Sequence, residues 1–395
     1  MITLFINGNK ETYSGSGEES LLTYLRRDLK INSPKDGCSG EGSCGACTVE
    51  VNGKAMLACR SKIKDLDQAD VVTTEGLPSN LRQLLGKMFA EKGAVQCGFC
   101  SPGFIMRAKQ LFKKEDIPKM EQIIKAVNPN ICRCTGYIKI VDAIEASLII
   151  HHQNKNNKKA TTPEQQDARI GKPYPKYQAL ETALGNRPFV DDLIFDDMLF
   201  GVLTFSEHPR AVVKSINTLN AQQVKGVKKI FTAKDIPGVR TNGLIFQDWP
   251  MMINEGEVTN CISDVLACVV AETEEQARRA AELVEVDYQV LEAVTDVHKA
   301  VKPDCIQVHS GQSNILETCS ISFGNVEKAF NDAAYTSSSV YTTQRIEHAF
   351  LEPECAIALP ENGKLRVYTQ GQGAYIDRKL IAKILALNEA DVLVT

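Results

Sequence analysis

Alternating apolar and polar positions near the start of the chain predict short β-strands. Residues 2–14 read ITLFI and KETYS on either side of Asn7-Gly8, which is a two-residue hairpin turn. A second hairpin is predicted over residues 48–59, where TVEV and KAMLAC flank Asn52-Gly53. Between the hairpins, leucines at helical spacing predict a helix over residues 18–29. With a further strand at residues 70–74, this region is predicted to be a small sheet with one helix.

After residue 75 the period changes from two to that of a helix. Apolar residues at helical spacing predict four helices, at residues 81–89, 103–112, 120–127 and 138–150. The next residues, 151–172, are polar and aperiodic, which predicts a linker.

From residue 173 strands and helices mix, which predicts α/β structure. Strands are predicted at residues 198–206, 227–233, 265–271 and 284–291, and Thr273 is predicted to cap the helix that precedes the last of them. A further α/β stretch follows residue 300 and closes on the strand of ADVLVT. We expect five segments: 1–75, 76–150, the linker 151–172, 173–300, and an incomplete domain at 301–395.

Four cysteines in the first segment have the spacing of an iron–sulfur loop. They stand as Cys38-x5-Cys44-x2-Cys47-x11-Cys59 in a glycine-rich loop that continues into the second hairpin. Plant-type 2Fe–2S sites use C-x4-C-x2-C with a distant fourth cysteine, so the match has one extra residue in the first gap. Glycines there allow tight curvature and direct N–H groups inward. The element order is that of a β-grasp domain of the ferredoxin-like kind.

A second set of cysteines, Cys97-x2-Cys100 and Cys132-x-Cys134, precedes two of the predicted helices. Helix N-termini favour thiolates and a negatively charged metal site. Two alternatives stay open on spacing alone. CGFC is also typical of a redox-active thiol pair, although its preceding segment is helical rather than a strand. Four cysteines in two pairs can also bind structural zinc, although zinc pairs rarely keep a single residue between ligands.

Composition narrows the function classes. The 395 residues carry a net charge of −4, which argues against a nucleic-acid or anionic-membrane surface, and no apolar run approaches the length of a membrane span. The N-terminal residues lack the features of a secretory signal, so we expect a cytoplasmic protein whose clustered cysteines bind metal. The other five of the thirteen cysteines are interpreted as small buried apolar residues: Cys261, Cys268, Cys305, Cys319 and Cys355.

Three further motifs carry little weight by themselves. Residues 40–45 fit G-x-G-x-x-G, but they open a strand and contain a cysteine, so a dinucleotide site is not indicated. Glu347-His348 with its nearby acids, and the glycine-flanked Gln370 and Gln372, are most simply a helix entry and a tight turn.

Taken together, the two cysteine sets resemble the molybdenum hydroxylases, the family of xanthine dehydrogenase and aldehyde oxidoreductase. The motifs that carry the resemblance are GCSGEGSCGACTVEVNGKAMLAC, VQCGFCSPG and NICRCTGY, in this order. PFVDDLIFDDMLFGVLTFSEHPRA and LVEVDYQVLEAV resemble the family's hammerhead domain, and RIEHAFLEPECAIA with YTQGQGAYIDRKLIAKIL resembles the opening of its molybdenum-binding domain. The implied fold is a multidomain α+β chain: β-grasp 2Fe–2S, four-helix 2Fe–2S, hammerhead, and the start of a molybdenum domain.

The resemblance implies hydroxylation of an activated carbon at a molybdopterin centre, with electrons leaving through two 2Fe–2S clusters. It implies an inner cluster on Cys97, Cys100, Cys132 and Cys134, and an outer cluster on Cys38, Cys44, Cys47 and Cys59. Gln96 and Cys134 match positions that contact the pterin, and Gln372 matches a glutamine that faces the molybdenum. The substrate is expected to be a small molecule, a xanthine-like purine before an aldehyde, and the acceptor a flavin subunit, ferredoxin or similar.

The chain also departs from the family pattern. It has no flavin domain between the cluster domains and the hammerhead, as in flavin-free members such as aldehyde oxidoreductases and selenium-dependent xanthine dehydrogenase-like proteins. It stops before the family's GGFGG stretch and catalytic glutamate. We therefore expect an amino-terminal portion or a split subunit that needs the remaining molybdenum-binding segment, with a homodimer as one expected assembly. The alternatives are a non-catalytic electron-transfer subunit and a zinc-stabilised binding module.

Overall fold

The computed structural model describes residues 1–155, 170–171, 174–243 and 245–395. These residues form two compact units. The first comprises Met1–Leu193 with Arg345–Ala356, and the second comprises Ile194–Gln344 with Ile357–Thr395.

The first unit begins with a five-stranded sheet in the order β2-β1-β5-β3-β4. Both predicted hairpins are confirmed, since β1 pairs antiparallel with β2 and β3 with β4, while β1 and β5 run parallel. Leucine, valine and isoleucine side chains from one face of this sheet form an apolar core. The strands are β1 (Ile2–Ile6), β2 (Asn9–Tyr13), β3 (Thr48–Val51), β4 (Lys54–Leu57) and β5 (Ala69–Val72).

The predicted helix over residues 18–29 is wrong as one continuous α-helix. The α-helix α1 covers only Leu21–Thr23, and Tyr24–Asp28 continues as a π-helical turn. The Ser20 hydroxyl accepts a hydrogen bond from the Thr23 N–H at 3.1 Å, so the helix begins after Ser20 rather than at residue 18.

Four helices follow, as the apolar spacing predicts. They are α2 (Ser79–Glu91), α3 (Ser101–Lys109), α4 (Met120–Val127) and α5 (Ile138–Lys155). Their buried faces share one apolar core. Helix α5 runs to Lys155, five residues beyond the predicted end at 150, so the predicted linker 151–172 begins inside a helix. The rest of that linker lies outside the described residues, except 170–171.

A short segment that the sequence did not distinguish packs back onto both cysteine-bearing parts of the first unit. It contains helix α6 (Ala179–Ala183). Ala183 and Leu184 join the core of the four helices, while Asp192 reaches Arg26 beside the sheet. We call residues 174–193 the strap.

Among the described residues, the second unit contains four small sheets. A three-stranded antiparallel sheet in the order β6-β11-β8 packs against helix α8, and β7 pairs with β12. The predicted cap of α8 is confirmed, because the Thr273 hydroxyl accepts from the Gln276 N–H at 3.2 Å. The elements are β6 (Phe200–Phe205), β7 (Ala211–Asn217), α7 (Leu219–Gln222), β8 (Val227–Thr232), β9 (Thr241–Asn242), β10 (Trp249–Pro250), β11 (Val265–Ala271), α8 (Glu274–Ala281) and β12 (Glu285–Val290).

Beyond residue 290 the second unit is more open. Helices α9 (Val297–Ala300) and α10 (Val326–Asp332) are followed by extended, exposed chain over residues 333–344. The last sheet, β13-β14-β15, carries α11 beside it, and the predicted closing strand is confirmed; these elements are β13 (Ala356–Glu361), β14 (Lys364–Thr369), α11 (Ala374–Ile384) and β15 (Val392–Val394). Among the described helices, none combines the length and apolarity that crossing a membrane requires.

Candidate functional site: two cysteine loops

The first cysteine loop is shaped by glycines with left-handed backbone conformations. Gly40, Gly42 and Gly45 have φ of +79°, +81° and +74°. At Gly45 a side chain is also excluded by space, since a Cβ there would lie 2.9 Å from the Asn130 Cα. The sequence prediction that glycines permit this curvature is confirmed at these three positions.

Backbone N–H groups point at the sulfur atoms of this loop. The Ala46 N–H donates to the Cys44 Sγ at 3.5 Å. Burial opposes ionisation of Cys38, but N–H donors from Cys44 and Ser43 outweigh it and lower the pKa of Cys38 to about 7. Burial raises the pKa of Cys44 to about 11 despite its own N–H donors. Burial also raises the pKa of Cys47 and of Cys59, so Cys38 is the one thiol of this loop whose pKa is lowered. The N–H groups directed at sulfur are of the kind that 2Fe–2S clusters use.

The second loop gathers the other four thiols near the start of α3. The Cys97 and Cys134 sulfurs are 3.7 Å apart. The Cys132 thiol accepts a hydrogen bond from Cys100, which lowers the pKa of Cys132 to about 5, helped by N–H groups of Thr135 and Cys134. Hydrogen bonding and burial raise the pKa of Cys100. The Thr135 hydroxyl also lies 3.1 Å from the Cys132 sulfur.

In both loops the thiols stand in pairs. Three or more metal-binding side chains at one point are not found among the described residues. Cys38 instead interacts with Cys44, and Cys47 with Cys59. In the second loop Cys97 pairs with Cys134, and Cys100 with Cys132. Two thiols per iron and two irons per cluster match this arrangement.

The two loops touch through one backbone hydrogen bond and one from a side-chain amide. The Ile131 N–H donates to the Cys44 carbonyl at 2.8 Å, and the Asn130 amide donates to the Gly45 carbonyl at 2.8 Å. Gly103 of α3 lies against the same carbonyl, since a Cβ there would be 2.5 Å from the Gly45 oxygen. One hydrogen bond therefore joins Cys44 of the first loop to the residue preceding Cys132 of the second.

The three residues expected near a pterin are distributed over both units. Gln96 is exposed, and its carbonyl accepts a hydrogen bond from the Lys176 ammonium of the strap. Cys134 is half-buried beside Cys97. Gln372 belongs to the second unit, where it is exposed just before α11. Their predicted roles stay predictions.

The segment around Glu347-His348 lies beside the cysteine loops. Its sequence contains no motif that would have predicted this position. The Arg133 guanidinium donates to the carbonyls of Glu347 at 2.8 Å and His348 at 2.9 Å. A pocket of about 360 Å³ is lined by Asp36, Gly37 and Ser39 on one side and by Glu347 and residues 349–354 on the other. Arg133 stands between Cys132 and Cys134 in sequence, and this position is a signal that could have suggested a functional role.

Sequence comparisons agree with this arrangement of domains. Residues 4–72 match a 2Fe-2S iron-sulfur cluster binding domain, and residues 73–145 match a [2Fe-2S] binding domain. Residues 184–292 match the a/b hammerhead domain of aldehyde oxidase and xanthine dehydrogenase, and residues 308–395 match a molybdopterin cofactor-binding domain. Both 2Fe–2S domains and the molybdopterin-binding match accord with the cofactors expected from the sequence.

Two curated proteins and one solved structure show the extent of the likeness. An aldehyde oxidoreductase of Megalodesulfovibrio gigas is 32% identical over 98% of this chain and 44% of its own length. The nicotinate dehydrogenase small FeS subunit of Eubacterium barkeri is 43% identical over 37% of this chain and 94% of its own length. The structure of the aldehyde oxidoreductase from Desulfovibrio gigas aligns with a TM-score of 0.87 at 29% identity, covering 100% of this chain and 45% of that chain.

The chain thus spans less than half the length of the aldehyde oxidoreductases that it matches from end to end, and nearly the full length of a separate iron–sulfur subunit. Its four domain matches occur in a single order, and its two cysteine loops have the pairing and the N–H donors that 2Fe–2S clusters require. The chain belongs to the molybdenum hydroxylase family.

Proposed function

We propose that this chain carries the electron-conducting part of a molybdenum hydroxylase. The observation that carries the proposal is the pairing of eight thiols in two N–H-lined loops. Cys38, Cys44, Cys47 and Cys59 would hold one 2Fe–2S cluster, and Cys97, Cys100, Cys132 and Cys134 the other. Such clusters supply one-electron transfer when bound.

The contact between the loops supports electron transfer from one cluster to the other. The hydrogen bond from Ile131 to the Cys44 carbonyl is 2.8 Å long, and both groups adjoin or belong to cluster ligands. Asn130, which is 2% exposed, holds the neighbouring carbonyl of Gly45. These two hydrogen bonds give a direct connection between the loops.

The molybdenum centre would be completed by a segment or subunit beyond the residues described. The molybdopterin would supply the hydroxylation chemistry, and Gln96, Cys134 and Gln372 are the residues proposed to face it. Large apolar side chains in residues 321–341 support a missing partner, because five of them are at least 90% exposed: Ile321, Phe323, Tyr335, Val340 and Tyr341. An exposed apolar surface of this kind is typical of a protein interface.

For the substrate, an aldehyde is the first candidate. A relative that aligns over 98% of this chain is an aldehyde oxidoreductase. The xanthine-like purine expected from the flavin-free arrangement is the second candidate. We also propose a cytoplasmic location, a ferredoxin or flavin subunit as electron acceptor, and a homodimer as one assembly to test.

The cluster proposal is tested by anaerobic purification, metal analysis and EPR of the dithionite-reduced protein. We expect about four irons per chain and two distinct 2Fe–2S signals. Cys132→Ser should remove one signal. Cys268→Ser is the matched control, because this half-buried cysteine lies outside both loops and should leave both signals unchanged. Zinc without an EPR signal would reject the proposal in favour of a structural module.

The catalytic proposal needs a separate test. The chain is combined with candidate molybdenum subunits, and reduction of its clusters is followed optically after addition of an aldehyde or xanthine. Reduction that depends on both the partner and the substrate supports the hydroxylase. If a chemical reductant reduces the clusters but no substrate does so with any partner, the result supports an electron-transfer subunit instead of a hydroxylase.

A further inference from the structure

A lysine ammonium is buried near the start of the first cysteine loop and faces a phenylalanine of the second. Lys35 is 0% exposed and lies three residues before Cys38. Its Nζ contacts the Asp192 carboxylate of the strap, which is likewise inaccessible to solvent. Arg26 donates to the other oxygen of Asp192 at 2.8 Å and to Asp191 at 2.9 Å. Two cations and two carboxylates therefore form one network. The Lys35 and Asp192 side chains are inaccessible to solvent, whereas Arg26 and Asp191 are partly exposed.

The ammonium also faces aromatic rings that touch the cysteine loops. Its Nζ lies 4.7 Å from the centre of the Phe189 ring and 5.9 Å from that of Phe99. Phe99 lies between Cys97 and Cys100 in sequence and shares a buried apolar cluster with Cys44. Lys35 is thus linked to the first loop through its backbone N–H, which donates to the Ala46 carbonyl at 3.2 Å, and to the second through the Phe99 ring.

A charge in this position acts on a cluster more strongly than one at the surface. Charges interact far more strongly in a protein interior than in water. Reduction adds a negative charge to a 2Fe–2S cluster, and its potential depends on nearby charge, hydrogen bonds and exposure. A nearby cation therefore raises the potential, and a nearby carboxylate lowers it. Burial lowers the pKa of Lys35, and the Asp192 carboxylate opposes that shift by favouring the charged ammonium.

We propose that Lys35 and Asp192 form a buried charge pair that sets the reduction potentials of the clusters in the two flanking loops. The proposal rests on the proposed function, since it requires clusters in those loops. Lys35 would act through its charge on the clusters, and it neither contacts substrate nor replaces a cluster ligand. A purely structural role would predict that losing either partner destabilises the chain without a signed change in potential.

The test is an EPR-monitored redox titration of the reconstituted chain and three variants. Lys35→Met should move both midpoint potentials to more negative values, because the carboxylate stays. Asp192→Asn should move them to more positive values, because the ammonium stays. Lys35→Arg, which keeps the charge, should restore the wild-type values. We expect the ratio of oxidised to reduced cluster at fixed potential to change by roughly tenfold.

The controls separate this proposal from folding effects and from the proposed function. Lys64→Met removes an exposed lysine and should leave the potentials unchanged. If Lys35→Met does not fold, Arg26→Met removes the second cation of the same network and should shift the potentials in the same negative direction. Unchanged potentials in folded variants, or shifts of the same sign for Lys35→Met and Asp192→Asn, overturn the proposal. A wild-type chain without EPR signals overturns the proposed function itself.

Discussion

Replacing Glu50 should weaken the contact between the sheet and the helices of the first unit. Glu50 lies on β3, and its side chain is only 8% exposed. One carboxylate oxygen accepts from the Lys109 ammonium at 2.6 Å, and the other accepts from Lys113 at 3.0 Å and the Gln110 amide at 2.7 Å. Lys109 ends α3, and Gln110 and Lys113 lie in the 3-10 turn that follows it. A single carboxylate therefore joins the strand that follows the first cysteine loop to the end of the helix that follows Cys100.

The expected cost of Glu50→Gln follows from burial. Hydrogen bonds to charged groups contribute about 1.5–3 kcal/mol each, and exposed ones much less. Lys109 is 15% exposed, whereas Lys113 is 47% exposed, so we count mainly the Lys109 interaction. Glutamine can still accept one hydrogen bond but leaves the Lys109 charge without a counter-ion. We therefore expect a loss of about 2 kcal/mol in the free energy of unfolding.

The chain offers a matched control at its surface. Glu18 also binds two lysines, Lys62 at 2.7 Å and Lys64 at 2.6 Å, but its side chain is 56% exposed. Solvent and salt screen this group, so Glu18→Gln should change stability very little. Urea denaturation of both variants and the wild type, followed by fluorescence and cluster absorbance, measures the difference. Equal midpoints for the Glu50 and Glu18 variants would refute the argument from burial.

The pH dependence gives the same prediction a second check. Burial alone would raise the pKa of Glu50, but hydrogen bonds from Lys109, Lys113 and Gln110 outweigh it and hold the pKa below 4.5. A carboxylate with a lowered folded-state pKa stabilises the fold above its unfolded pKa, and that contribution is lost as the pH falls through the folded value. The difference between wild type and Glu50→Gln should stay constant from pH 8 to about 6 and shrink only below about 4.5. A difference that grows on acidification would contradict this sign.

Three further predictions concern the loops. Cys44→Ser should abolish one EPR signal and leave the other, because the two thiol sets belong to different parts of the first unit; simultaneous loss of both would contradict this. Gly103→Ala should destabilise the chain by about 1–3 kcal/mol in thermal denaturation, because its Cβ meets backbone, whereas Gly86→Ala meets only the Leu184 side chain and should cost less. Arg133→Met should speed hydrogen exchange in residues 345–356, measured by mass spectrometry, with an unchanged rate counting against the observed contacts.

Local patterns predicted the parts of the fold that depend on neighbouring residues. Asn7-Gly8 and Asn52-Gly53 specify hairpins because both residues of each turn tolerate positive φ, and both turns are present. Cysteine spacing likewise predicted two thiol sets, since a loop that wraps a small cluster needs its ligands close together in sequence. Helix α1 was overestimated because leucine spacing ignores where a capping Ser20 begins the helix.

Features that depend on distant residues could not be predicted in the same way. The strap shows no strong periodicity, and its position depends on Leu184 packing among the helices and Asp192 meeting Arg26. Lys35 appears in sequence as a lysine beside an aspartate, which is typical of a surface. It is buried because Asp192, 157 residues later, supplies its counter-charge. No local pattern in either segment contains that information.

The two loops can come into contact because glycines, rather than residues with large side chains, lie where they meet. Electron transfer favours short separations, whereas each cluster needs its own wrapping loop and its own N–H donors. Gly45 and Gly103 let the two backbones approach where any Cβ would collide, and Asn130 then satisfies the Gly45 carbonyl that this approach buries. The Ile131 hydrogen bond to Cys44 is possible only at that distance. A side chain at Gly103 should therefore lengthen the connection and slow transfer between the two clusters, whereas one at Gly45 would also strain the cysteine loop because Gly45 has a φ of +74°.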